Sequence, residues 1–147
     1  MKTSYMESLV KNEKFKKLQT GDLVKFEADL HPIIFHYGII QRVNDELFIY
    51  HNQMSFLNKN GGSLVRENFE KYAKGRKIIS IEKTNIDSES LSQIADLLKD
   101  KKYHFVNNNC EHFANTVRLK KFISPTAKKL AIALVIGLTA IVIIRKK

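Results

Sequence analysis

Apolar and polar positions alternate with a two-residue period in the first half of the chain and with a helical period later. After the turn signal Thr20-Gly21-Asp22, the stretch Leu23-Val24-Lys25-Phe26 predicts a strand. Pro32 interrupts the chain. Ile33 to Val43, IIFHYGIIQRV, is β-branched and aromatic and predicts a second strand. Asn44-Asp45 is a tight turn, and Glu46 to His51 returns as the other arm of a hairpin. NKNGGS at 58–63 is a loop, and KIISIE at 77–82 is a further short strand. Asp87 or Ser88 caps a helix reaching about Asp100, with Leu91, Ile94, Ala95 and Leu98 as its apolar stripe. Asn108 or Asn109 caps the next helix, which begins near Cys110 and ends near Leu119. Strands first and helices later predict an α+β fold with a mainly antiparallel sheet.

The two ends of the chain differ from this body. Residues 1–20 are a polar, lysine-rich arm with no apolar h-region, so no signal peptide is read there. Leu130 to Ile144, LAIALVIGLTAIVII, is uncharged, with lysines before it and Arg145, Lys146 and Lys147 after it. As a helix it reaches roughly 22 Å, against a hydrocarbon core of about 30 Å. Snorkelling lysines and the apolar residues from Phe122 make up the difference. The run is apolar on every face, which predicts a C-terminal transmembrane helix holding the body on the cytosolic side of an intracellular membrane. The competing reading is a buried core helix.

Composition sharpens the picture. The 147 residues, 44% hydrophobic and 27% charged, suit one globular domain plus a tail. The net charge of +10 is uneven: residues 118–147 hold eight basic and no acidic side chains. The basic character sits outside the body, which argues against a nucleic-acid-binding domain. A single cysteine forms no internal disulfide and excludes the usual cysteine-rich zinc sites.

That cysteine lies in NNNCEHF at 107–113, with polar neighbours on both sides, where packing is a poor explanation. In the first turn of a helix it faces unpaired N–H groups and the positive dipole end, which favour the thiolate. The same amides can hold an oxyanion. A nucleophilic thiol needs a base, and five histidines are available. His36 and His51 lie on paired strands of one hairpin and can sit side by side. Together with Cys110 they form a candidate Cys-His-His set. His31 lies in a loop, and His112, about 200° around the helix from Cys110, points away. The residues alone leave two other readings open: histidines satisfied as ordinary core or surface groups, and a three-histidine metal site.

The segment YHFVNNNCEHFANTVRLKK resembles the NCEHF box of the lecithin retinol acyltransferase family, which includes the H-Ras-like suppressor phospholipase/acyltransferases. Gly21-Asp22-Leu23 resembles that family's opening strand, and His36-Tyr37-Gly38-Ile39 its histidine box. The resemblance implies a permuted papain-like fold over residues 21–124, between the arm at 1–20 and the anchor at 125–147. It implies Cys110 as nucleophile, His36 as general base and His51 as the histidine that orients it, with Tyr103 in support. The implied activity is phospholipase A1/A2 and acyl transfer through an acyl-cysteine thioester. The donor would be a membrane phospholipid and the acceptor water, an amine or a lysophospholipid, with no metal or cofactor. The alternatives are a papain-like cysteine peptidase or isopeptidase and a non-catalytic membrane adaptor.

Overall fold

A computed structural model describes residues 15–28, 31–53, 62–102, 104, 108–121, 128, 129 and 132, leaving aside the side chains of 28 and 31–34. Five strands form one sheet: β1 Leu23–Ala28, β2 His31–Val43, β3 Glu46–Asn52, β4 Leu64–Asn68 and β5 Ile78–Glu82. Their order is β4-β3-β2-β1-β5, and every pairing is antiparallel. Among the described residues, three helices accompany them: α1 Phe69–Ala73, α2 Ser88–Leu98 and α3 Cys110–Leu119.

The two-residue side-chain period gives β2 a different partner on each face. Ile40 of β2 packs with Val24, Phe26, Leu47 and Ile49 under Phe69, Tyr72 and Ala73 of α1. Ile39 faces the other way and packs with Leu23 and Leu64 under Leu91, Ala95 and Leu98 of α2 and Phe113, Ala114 and Val117 of α3. Phe26, Phe69 and Phe113 are fully buried, and burial stabilises each by about 1.5–3 kcal/mol. The last residues before β1 close the first face. Leu18 is buried there, and Arg42 of β2 donates to the carbonyl oxygens of Leu18 and Lys16 at 2.8–3.0 Å.

The hairpin turns at Asn44, whose φ of 52° is one that asparagine tolerates. Gly21 turns the chain into β1 at φ 92°, where a Cβ would lie 2.8 Å from Ile86.

Several sequence expectations change. β2 begins at His31, ahead of Pro32, so His31 is in a strand rather than a loop. Its pairing with β1 shifts register between Glu27 and Ala28, and such an irregularity is where a strand accommodates proline. β4 and α1 were not expected at all; each is only five residues long. Among the described residues no helix is long and apolar enough to cross a membrane. The described residues therefore do not support the expected C-terminal transmembrane helix, nor the anchored placement at an intracellular membrane that rested on it. Of Leu130 to Ile144 only Ile132 is described; it is helical and half exposed.

Candidate active site

α3 is built to present its first residue. Asn109 caps it with an extended backbone, and its side chain accepts from the N–H groups of Glu111 and His112, both at 3.0 Å. His112 folds back, with Nδ1 2.9 Å from Asn109 Oδ1 and 3.3 Å from Asn109 N. It fills the reciprocal half of a capping box, where glutamate or glutamine is the usual residue. Asn52, at the end of β3, donates to the Asn109 carbonyl oxygen at 3.0 Å and ties the helix start to the sheet.

Cys110 is thereby held against β2. Its Sγ lies 3.8 Å from the Phe35 carbonyl oxygen, and the Tyr37 backbone N–H also reaches it. The thiol meets the main chain on both sides of His36. The His36 ring leaves β2 toward the opposite face, beside Tyr72 of α1. No hydrogen bond among the described residues joins the thiol to an imidazole.

On that face a chain of polar groups is assembled. His36 Nε2 lies 3.0 Å from His51 Nδ1, and His51 Nε2 lies 2.6 Å from Glu67 Oε1. The two histidines are diagonal rather than directly opposed, since His51 pairs with Gly38 and His36 with Phe26. The Tyr72 ring lies 4.4 Å from the His51 ring, centroid to centroid, and Arg76 lies over Tyr72.

Burial governs the electrostatics. It drops His36 to about 3, helped by the neighbouring His51 and Arg76. It lowers His51 too, against the hydrogen bond and charge of Glu67. It pushes the Cys110 thiol up to about 11, although the Tyr37 and Glu111 N–H groups act the other way. The helix start was expected to favour the thiolate; desolvation outweighs it. Burial, Glu111 and Cys110 also raise the Tyr37 phenol.

Of the expected residues, His36 and His51 are brought into contact and Cys110 against the backbone beside them. His112 serves as a cap. His104 is exposed and bridges back to Asn108. Tyr103 and the His31 side chain lie outside the described residues. Glu67 was missed, because nothing in Leu64–Asn68 marks it beyond one acidic residue in a short segment. Among the described residues, no group of three or more His, Cys, Asp and Glu side chains is placed to hold a metal ion.

The family model described as the PPPDE putative peptidase domain matches residues 11–124. No curated protein matches the chain. The matched family differs from the lecithin retinol acyltransferase family, so that resemblance is corrected. Its boxes were a capped cysteine helix and a strand histidine, which a thiol peptidase requires equally. With it fall the phospholipid acyl donor, the acyl acceptors and the membrane partner. The match supports a cysteine-dependent peptidase rather than a phospholipase or acyltransferase.

Proposed function

The chain belongs to the PPPDE putative peptidase domain family, and from that premise we propose that it is a papain-like cysteine peptidase or isopeptidase. In this reading Cys110 is the nucleophile, His36 the base and His51 the group that orients His36. The observation that carries it is the Cys110 thiol at the start of α3, against the strand backbone on both sides of His36.

In this mechanism His36 takes the Sγ proton as the thiolate attacks the amide carbon. The oxyanion is held by the Cys110 N–H, because the next three N–H groups of α3 are taken by Asn109. The imidazolium gives its proton to the departing amine, and water then hydrolyses the acyl-cysteine with His36 again as base. Burial pushes the thiol up to about 11 and the imidazole down to about 3, so the proton rests on sulfur. Catalysis therefore proceeds by base-assisted attack once substrate is bound, without a standing thiolate–imidazolium pair. Sγ must leave the Phe35 carbonyl oxygen and approach the His36 ring for the transfer.

The test is cleavage of α-linked peptides and of ε-linked lysine isopeptides by the wild type, Cys110→Ala and His36→Ala, with mass spectrometry of Cys110 for the acyl adduct. The expected result is an adduct in the wild type, with turnover lost in Cys110→Ala and reduced about 10²–10⁴-fold in His36→Ala. Turnover that survives Cys110→Ala would overturn the reading.

A further inference from the structure

The hydrogen-bonded chain behind His36 extends one residue further than a histidine pair needs. A carboxylate oxygen only accepts, so the 2.6 Å contact with Glu67 Oε1 places the hydrogen of His51 on Nε2. In a neutral ring Nδ1 is then a lone pair. The 3.0 Å contact to it must be donated by His36 Nε2–H. That leaves His36 with its lone pair on Nδ1, the ring nitrogen nearer its own main chain. Cys110 meets that main chain at Phe35 and Tyr37.

We propose that Glu67 is a positioning residue which, through His51, fixes the tautomer of His36 so that Nδ1 is the basic nitrogen offered to Cys110. The inference rests on the peptidase reading and adds to it the residue that sets its base. When His36 Nδ1 takes the thiol proton, the ring carries hydrogens on both nitrogens and one positive charge. Its Nε2–H stays directed at His51 Nδ1, and His51 Nε2–H stays directed at the Glu67 carboxylate. The new charge is thus met by the dipole of the His51 ring and by the Glu67 anion. Among the described residues, the other charged or titratable groups facing the pair are Tyr72 of α1 and Arg76 just beyond it.

The pair is read directly by long-range ¹⁵N–¹H correlation NMR of the full chain near neutral pH, with no substrate present. Both rings are expected as Nε2–H tautomers. A Nδ1–H tautomer in either ring overturns the proposal, whatever the variants do. In Glu67→Ala, His51 should populate the Nδ1–H form. Alkylation of Cys110 by iodoacetamide at neutral pH should slow by about tenfold or more, part of the 10²–10⁴-fold a positioned base supplies. Glu67→Gln should restore the tautomers and most of the rate, because its amide oxygen still accepts from Nε2–H. Unchanged tautomers and alkylation in Glu67→Ala would overturn the proposal. A wrong tautomer with intact peptide cleavage sinks the Glu67 role alone. Correct tautomers with no cleavage sink the peptidase reading and leave the Glu67 geometry standing.

Discussion

Cys110 Sγ and the carbonyl oxygen of Phe35 are 3.8 Å apart, so the sole thiol is bonded to the backbone of the strand that carries His36. A buried thiol in that position gains little from the helix dipole, and desolvation pushes it up to about 11.

Ionisation of Cys110, followed by thiolate absorbance, should therefore centre near 11 in the folded protein. The raised value also has a stability consequence. The unfolded chain ionises its thiol near 9.0, while the native thiol stays protonated. The stabilisation is complete below about pH 9 and is lost as pH rises toward 11. Denaturant melts of the wild type should weaken across that window, and Cys110→Ala should flatten the trend. Equal slopes in the two proteins would show that the thiol is not buried as described.

The histidine pair produces the opposite sign at the acid end. His36 falls from 6.5 to about 3 through burial, His51 and Arg76, and His51 is lowered in the same direction. Below pH 6.5 the unfolded chain binds protons that the native chain refuses. Stability is complete above that value and falls toward pH 3, by about 1.4 kcal/mol per pH unit for each proton withheld. His36→Gln should reduce the slope of thermal stability against pH in this range. A slope that does not respond to the substitution would place the acid sensitivity elsewhere.

The start of α3 can be probed apart from the chemistry. Asn109 accepts two helical N–H groups, so Asn109→Ala should cost about 1 kcal/mol in denaturant unfolding. Asn109→Asp keeps the acceptor and adds negative charge beside the thiol, so it should hold stability while raising the Cys110 midpoint further. A lowered midpoint in Asn109→Asp would contradict this account.

The hairpin and α3 were legible in the sequence because their signals are local. IIFHYGIIQRV and ELFIYH carry strand composition on either side of Asn44-Asp45, and Asn109 marks a helix starting at Cys110. β4 and α1 were not legible because tertiary pairing makes them. LVREN offers little alternation, and it is a strand because Leu64 to Asn68 pairs with Asn52 to Phe48. Glu67 stayed hidden with it. The thiol's environment was misjudged for a related reason: the helix dipole follows from chain position, whereas burial depends on β2 closing over Cys110. The family assignment failed because short boxes around Cys110 and His36 report a chemistry common to several thiol enzymes. The match over residues 11–124 draws on the rest of the chain.

Gly38 supplies the last prediction. It sits in β2 directly opposite His51, on the face that carries the histidines. A Cβ there would overlap Ile49 Cδ1, lie 2.6 Å from Ile49 Cγ1 and stand 3.2 Å from the Tyr50 carbonyl oxygen. Ile49 is fully buried and has little room to yield. Gly38→Ala should therefore destabilise the fold by about 1–3 kcal/mol, the range for overpacking. It should also press β3 away from β2 where His36 and His51 meet, so the variant should lose activity beyond its loss of stability. Ile49→Val removes the Cδ1 atom that is struck first and by itself costs about 0.5–1.5 kcal/mol. In that background Gly38→Ala should be milder, with a coupling of about 0.5–3 kcal/mol in a double-mutant cycle. Additive effects in the cycle would mean that glycine is required at this position for a reason other than the approach of Ile49.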